Sequence, residues 1–269
     1  ALAGNDIIKG TSSTDSGIDN NGTINTGAGN DTITSTYSGI LNYGTIKTGD
    51  GKDTITGTSY GIYNIGTIDT GDGNDIIKGT GTGIYNNGTI NTGAGKDTII
   101  GTGTGTGIGN DDTIDTGAGN DTITGTGTGT GTGYGIYNIG TIDTGDGNDI
   151  IKGTGTGYGI LNDGTINTGA GKDIVDALES GFDGNGTTYL DAGNDTLKGF
   201  GTGNFYGGTG KDKIFFDAGK YRISGSSVKH DGETMRAYEF EKIGGINGGL
   251  FDFKDGTLTV DSKGVGTFA

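Results

Sequence analysis

The chain has 269 residues, of which 29% are hydrophobic and 64 are glycine, with no proline and no cysteine. Seventeen lysines and arginines against 33 aspartates and glutamates give a net charge of −16. The lack of cysteine excludes disulfides and thiolate metal sites. The negative charge disfavours nucleic acid and anionic membranes as partners. No apolar run is long enough to span a bilayer, so we expect no membrane insertion.

A loop of the form GxGxD recurs along most of the chain. GAGND at 27–31 is followed by GDGKD at 49–53, GDGND at 71–75 and GAGKD at 93–97, each 22 residues after the last. Later loops follow at spacings of 24, 28, 24, 22 and 17 residues. A sequence period of this length indicates a solenoid, in which each repeat forms one coil and stacks on its neighbours.

Each repeat contains two short runs in which polar residues flank one isoleucine. One run begins at the aspartate of the loop, as in DTIT at 31–34, and the other precedes the next loop, as in GTINT at 22–26. Alternation of this kind predicts strands. One repeat cannot bury its isoleucines alone, whereas stacked repeats can. We therefore predict an all-β fold, a right-handed parallel β-solenoid of the β-roll or β-helix type with about 22 residues per coil.

The longer repeats contain threonine–glycine insertions at 101–107, 125–133 and 153–157. Relative to 22 residues the additions are even in number, which preserves the alternation of side chains; a flexible linker is the alternative for these segments. We assign residues 1–217 to the solenoid. Residues 218–269 lack the repeat, and we predict short antiparallel strands there, forming a small C-terminal β cap with a role in capping, assembly or secretion.

Stacking places the last aspartate of every loop in one column, called here the carboxylate column. At a spacing of about 4.8 Å and an effective dielectric of ~20, each adjacent pair would repel by roughly 3.5 kcal/mol. A divalent cation between successive loops would reverse the sign of this term. Ligands that are all oxygen favour Ca²⁺. The members of the column are Asp6, Asp31, Asp53, Asp75, Asp97, Asp121, Asp149, Asp173, Asp195 and Asp212.

We predict roughly one Ca²⁺ per gap between adjacent loops. The ligands would be the carboxylate column and backbone carbonyls of the loops, such as those of Gly71, Gly73, Gly93 and Gly95, because glycine permits the backbone bends that aim these carbonyls inward. For a single loop, an Asx turn capped by its own carboxylate is the alternative.

The turn on the opposite side of each coil carries an amide in place of a carboxylate. A neutral amide both donates and accepts, so stacked asparagines can satisfy one another without a cation. We predict such an asparagine ladder. Its members are Asn20, Asn42, Asn64, Asn86, Asn110, Asn138 and Asn162.

The pattern GxGxDxI resembles the GGxGxDxUx nonapeptide of repeats-in-toxin (RTX, hemolysin-type) proteins, whose β-rolls bind Ca²⁺ between stacked turns. The first glycine is usually threonine here, and the pair Gly207–Gly208 alone matches it fully. The half-repeat GIxNxGTI is more similar to β-helix repeats of bacterial autotransporters. The C-terminal segment resembles those of RTX proteins exported by type I secretion, particularly cyanobacterial surface proteins.

The resemblance implies a secreted, extracellular protein. We expect a calcium-binding structural component of the cell surface, such as a fibril, filament, sheath or layer. The alternative is a calcium-folded export and folding module of a larger adhesin, toxin or hydrolase. Ice binding is a minor alternative, since outward threonine pairs such as Thr32 and Thr34 recur but are interrupted. We expect no enzyme, because His230 is the one histidine and no nucleophile has a recognisable context.

The chain begins within a repeat, so we expect it to be a processed or partial product. An unpaired first coil would be covered by an upstream domain or by another copy, for example through the strand 257–261. Such a head-to-tail contact would propagate into a filament. Other surface proteins and polysaccharide are the further partners that we expect.

Overall fold

The structure, a computed structural model, describes residues 3–12, 14–130 and 132–269. The predicted solenoid domain includes residues 1, 2 and 13, and the predicted insertion at 125–133 includes residue 131; these four residues lie outside the described part. The described residues form strands and turns, with no helix. None of them therefore belongs to a helix that could cross a membrane.

The predicted all-β parallel solenoid is confirmed. Each of the first eight coils contributes one strand to each of three long sheets, and the same strand of successive coils pairs in parallel. Paired strands of successive coils are one repeat apart in sequence, so that Ile77 lies opposite Ile55 and Ile90 lies opposite Ile68. The coils are therefore stacked in register.

Sheet 1 has twelve strands, in order Ile7–Thr11, Thr32–Thr36, Thr54–Gly57, Ile76–Gly81, Thr98–Gly103, Thr122–Gly127, Ile150–Gly155, Ile174–Asp176, Thr196–Lys198, Lys213–Phe216, Lys242–Gly245 and Gly248–Asp252. Sheet 2 has eight strands, in order Ile18–Asn20, Ile40–Asn42, Ile62–Asn64, Ile84–Asn86, Ile108–Asn110, Ile136–Asn138, Ile160–Asn162 and Phe182–Asp183.

Sheet 3 has fourteen strands, in order Thr23–Asn25, Thr45–Lys47, Thr67–Asp69, Thr89–Asn91, Thr113–Asp115, Thr141–Asp143, Thr165–Asn167, Thr187–Tyr189, Gly203–Tyr206, Glu233–Tyr238, Ser227–His230, Gly219–Ser224, Gly256–Val260 and Gly266–Phe268. Sheet 4 runs along the GxGxD loops and has four two-residue strands, Asp146–Gly147, Ala170–Gly171, Ala192–Gly193 and Thr209–Gly210.

The core is three files of isoleucine, one from each long sheet. Ile99, Ile108 and Ile114 represent the three files within one stretch of the chain, and all three are fully buried. Burying one such side chain stabilises the fold by about 1.5–3 kcal/mol. A chain with few hydrophobic residues can therefore be ordered, because stacking removes these files of isoleucine from water.

The threonine–glycine insertions extend the strands of sheet 1 without shifting their register. Thr102 lies opposite Thr126, and Thr126 lies opposite Thr154, as the even number of added residues predicts. The strand alternation therefore continues through the part of the insertions that pairs.

Parallel pairing continues beyond residue 217. Glu233–Tyr238 pairs in parallel with Gly203–Tyr206, and Lys242–Gly245 pairs in parallel with Lys213–Phe216. The predicted antiparallel strands are present around this last coil, where Gly219–Ser224 pairs with both Ser227–His230 and Gly256–Val260.

The strand proposed from sequence as a donor to another copy is already paired on both edges. Gly256–Val260 pairs with Gly219–Ser224 on one side and with Gly266–Phe268 on the other. Residues 257–260 therefore have no free strand edge in the folded cap. Self-association itself stays a prediction, and it would have to use another edge.

Candidate metal centre: the carboxylate column

The GxGxD loops stack so closely that their glycines have no room for a side chain. A Cβ at Gly95 would lie 1.4 Å from the carbonyl oxygen of Gly73 in the preceding coil, and the φ angle of Gly95 is +148°. The equivalent position at Gly93 lies 2.2 Å from the carbonyl oxygen of Gly71. Both glycines are required by this close approach, and the carbonyls of Gly71 and Gly73 are directed along the stack toward the next coil.

The four glycines named as carbonyl ligands therefore lie together on one edge. Their carbonyls are not all equally available, because the carbonyl oxygen of Gly93 accepts a hydrogen bond from the N–H of Ala118 at 3.1 Å. The carbonyl oxygens of Ala94 and Ala118 are also occupied, since they accept hydrogen bonds from the N–H groups of Gly73 and Gly95, each at 2.7 Å.

All ten aspartates of the carboxylate column form one continuous line, as stacking predicts. From Asp31 to Asp212 they are at most 1% exposed. The backbone N–H of each member donates to Oδ1 of the next, at 2.7–2.8 Å. Sequence reasoning placed the carboxylates in a line but did not foresee that half of each one would be satisfied by the peptide group of its neighbour.

The second oxygen of each carboxylate is different. Oδ2 of all ten column members is buried and has no hydrogen-bond partner among the described residues. A buried polar atom without a partner is unusual and costs about 1–3 kcal/mol, more when it is charged. A row of ten such oxygens therefore requires an electrostatic explanation.

Burial raises the pKa of the eight column carboxyl groups from Asp53 to Asp212. It brings the pKa of Asp75 and Asp173 to about 7, and that of Asp97, Asp149 and Asp195 to about 6. Near neutral pH these five carboxyl groups are therefore balanced between the protonated and ionised forms unless something else stabilises the negative charge.

Asp75 shows the individual causes. Burial is the largest and raises its pKa; the N–H of Asp53 and the hydroxyl of Thr70 oppose the rise, and the carboxylates of Asp97 and Asp53 add to it. Thr70 belongs to a file of buried threonines that runs beside the column. Its hydroxyl lies near enough to lower the pKa of Asp75, but it donates to the Thr92 carbonyl at 3.4 Å and forms no hydrogen bond with Oδ2 of Asp75.

The column has an eleventh acidic member that the repeat pattern did not reveal. The N–H of Asp212 donates to Oε2 of Glu241 at 2.6 Å, so Glu241 occupies the place of the next aspartate. The register of Lys213 opposite Lys242 and Ile214 opposite Ile243 agrees with this. The signal in the sequence is the match between Asp212-Lys-Ile and Glu241-Lys-Ile, which lie 29 residues apart.

The column fits a hard cation in its chemistry, since every potential ligand is oxygen and one oxygen per aspartate is uncommitted. Its geometry is linear. Among the described residues no three acidic, histidine or cysteine side chains converge on one point. Any cation here would therefore be held by two successive carboxylates together with backbone oxygens.

The asparagine ladder on the opposite edge is confirmed. Each Nδ2 donates to Oδ1 of the next asparagine at 2.7 or 2.8 Å, from Asn20 to Asn162. The last amide, at Asn162, donates to the Thr187 carbonyl at 3.1 Å. The two edges therefore differ. Each ladder amide donates to the next amide and to a backbone carbonyl, whereas each column carboxylate has one oxygen without a donor.

The comparisons with known proteins add no family to these observations. No protein-family model, no curated protein and no solved structure matches the chain. The structure by itself shows a parallel β-solenoid with a stacked aspartate column.

Proposed function

We propose that the chain is an RTX-type, secreted, calcium-binding structural protein of the cell surface, stiffened by Ca²⁺ along the carboxylate column. The observation that carries the proposal is the row of ten buried Oδ2 atoms without a hydrogen-bond donor. Buried ionised carboxylates are stable only when paired, hydrogen-bonded or bound to a metal. Oxygen donors of this type are the ligands that Ca²⁺ prefers.

Each ion would be held by Oδ2 atoms of successive column members, for example Asp75 and Asp97, with loop carbonyls such as those of Gly73 and Gly95. A bound cation favours the ionised carboxylate and so lowers its pKa, opposing the effect of burial. Binding to the folded state alone would also couple calcium to folding, because an unfolded chain does not hold the aspartates in line.

A structural role is supported by the way the chain uses its residues. The repeats supply strands, an amide ladder and a carboxylate column, all of which serve the stacking of coils. The alternative, an export and folding module of a larger protein, uses the same calcium chemistry. The size of the native polypeptide in cells distinguishes the two, because a module would be detected as part of a longer chain.

Ice binding remains the minor alternative. Thr67, Thr89 and Thr113 lie opposite one another on sheet 3, but the second outward file of the same strands contains Asp69, Asn91 and Asp115. Charged neighbours interrupt a flat threonine surface, so we expect no thermal hysteresis in a freezing assay.

The calcium proposal is tested on the purified chain by circular dichroism and thermal unfolding in EGTA, in Mg²⁺ and in Ca²⁺. We expect Ca²⁺ to raise the melting temperature by more than about 10 °C, Mg²⁺ to have a smaller effect, and calorimetry to count several ions per chain. Identical melting in Ca²⁺ and in chelator, at both low and high ionic strength, would overturn the proposal.

A further inference from the structure

The cationic residues are distributed unevenly between the two parts of the chain. Residues 1–217 carry 10 lysines against 26 acidic residues, whereas residues 218–269 carry seven residues of each sign. Both arginines of the protein lie in the second part. The whole negative charge of the protein therefore arises from the solenoid, and the last coil with its added strands is electrically different.

Four of these cations lie on one face of sheet 3. Lys220, Arg222, Lys229 and Arg236 are exposed, and they alternate with buried residues in the strands Gly219–Ser224, Ser227–His230 and Glu233–Tyr238. We call this set the cationic face. The pairing register places Arg222 opposite Lys229 and Ser227 opposite Arg236, so all four point to the same side of the sheet.

The same side carries no negative charge within the five strands at this end of sheet 3, all of which are described. Its other outward positions are hydroxyl residues. These residues are Ser224, Ser227, Thr234, Thr257, Thr259 and Thr267. Among the described residues none of the four cations has an acidic partner within ion-pair distance; the ion pairs of the chain lie elsewhere.

This arrangement costs stability in the isolated chain. Like charges directly opposite each other on antiparallel strands are destabilising, and Arg222 and Lys229 are such a pair. A neutral side chain at either position would remove this local repulsion. The cationic face is thus better explained by a ligand than by stability.

A groove beside the cationic face shows what kind of ligand would fit. It has a volume of about 580 Å³, and its lining includes Lys229, Arg236, Asn185, Asn204 and Thr202. A volume of this size is in the range of small-molecule and oligomer sites. Two acidic residues lie at one end: Asp231, in the turn, is 3.5 Å from His230 Nε2, and Glu233, the first residue of the strand Glu233–Tyr238, contributes to the lining.

The lining consists of amide, hydroxyl, cationic and glycine residues and one acidic residue, Glu233, and no large apolar side chain belongs to it. A protein partner would be expected to find an apolar anchor at the centre of its interface, which this groove does not offer. A ligand with many hydroxyl groups and regularly placed oxyanions would use all three kinds of group. Arginine is suited to the oxyanions, since its fork binds carboxylate or sulfate with two hydrogen bonds.

We propose that the cationic face and its groove bind an acidic polysaccharide, with the oxyanions on Arg222, Lys229 and Arg236 and the sugar hydroxyls on the amides and hydroxyls of the groove. A stack of Tyr189, Tyr206 and Tyr238, with ring centroids 5.1 and 4.7 Å apart, continues the same side of the sheet and adds phenol hydroxyls to it. The site is independent of the carboxylate column and does not rest on calcium binding there.

The test compares two double variants with equal changes of charge, Arg222→Gln with Lys229→Gln and, as the control, Lys52→Gln with Lys96→Gln on the exposed loop edge of the solenoid. Circular dichroism first establishes that both fold as the unmodified chain does. Binding is then measured to heparin, to polygalacturonate, to neutral dextran and to single-stranded DNA, over a series of salt concentrations.

We expect saturable binding to heparin or polygalacturonate, with an affinity that falls as the salt concentration rises. The affinity should be at least tenfold lower for the variant of the cationic face and unchanged within twofold for the control. Dextran should not bind. Equal losses in both variants, equal affinity for dextran, or equal affinity for DNA would overturn the proposal. It would also be overturned if heparin and polygalacturonate both failed to bind, or if the cationic face instead mediated self-association that its variant abolished.

Discussion

The backbone N–H of Asp53 donates to Oδ1 of Asp75 at 2.8 Å, while Oδ2 of Asp75 is buried without a hydrogen-bond partner among the described residues. One carboxylate thus has two unlike halves. Oδ1 links adjacent coils and is satisfied by the fold itself, whereas Oδ2 gains a partner only from a proton or a cation. The stability of the solenoid should therefore depend on which of these is present.

Asp75→Asn should have opposite effects with and without calcium. An amide can retain the oxygen that accepts from Asp53 but removes a buried negative charge. In EGTA we expect the variant to melt at a higher temperature than the unmodified chain, and in Ca²⁺ at a lower one. Asp72→Asn is the matched control, because Asp72 lies in the same loop but is exposed. Thermal unfolding measures both, and a shift of the same sign in both buffers would contradict the two roles assigned to Oδ2.

Acid should stabilise the calcium-free protein. The pKa of Asp75 and Asp173 is raised by burial to about 7 in the folded state, above the value of about 3.8 expected in the unfolded chain. The folded state therefore binds more protons between these values, and its stability increases as the pH falls through 7 toward 4. In EGTA we expect the melting temperature to be higher by more than about 5 °C at pH 5 than at pH 8.

With saturating Ca²⁺ the pH dependence should reverse, because protons compete with the cation for the same oxygens. Melting curves from pH 4.5 to 8.5 in both buffers give the two slopes. A flat profile in EGTA would show that the column carboxyls are not buried as described.

Asn86→Ala should destabilise the protein by about 2–4 kcal/mol, because it leaves buried partners unsatisfied on both neighbouring coils. Asn86 donates to Asn110 and accepts from Asn64, each at 2.8 Å. Asn87→Ala is the control, since the adjacent Asn87 is exposed. Denaturant unfolding in Ca²⁺ measures the difference, and similar losses from both substitutions would mean that the asparagine ladder contributes little.

Gly95→Ala should cost about 3 kcal/mol or more, since its new Cβ would lie 1.4 Å from the Gly73 carbonyl oxygen and its φ is positive. Gly105→Ala provides the comparison, because a Cβ there has no heavy atom within 4 Å. We expect that change to remain within about 1 kcal/mol. Thermal unfolding of the two variants measures the difference. If the loop edge were loosely stacked, both substitutions would be tolerated.

The sequence by itself determined the repeated part of the fold. Residues that recur at a fixed period are superimposed when coils stack, so the isoleucine files, the carboxylate column and the asparagine ladder followed from spacing and alternation. The even insertions kept their register for the same reason, as Thr102, Thr126 and Thr154 show. The residues that belong to each of these lines could be listed without knowledge of contacts between residues distant in sequence.

The tertiary structure alone decided how the side chains of those columns are used. Spacing placed Asp53 and Asp75 together, but the direction of a carboxylate depends on the peptide group that faces it across the gap, and this gave Oδ1 a donor and Oδ2 none. Beyond residue 217 the repeat no longer sets the register. Asp212 still stacks against Glu241 as in a further coil, but the hairpin inserted between them sets the interval at 29 residues. Pairs such as Arg222 with Lys229 depend on the antiparallel register of that hairpin, which no repeat in the sequence specifies.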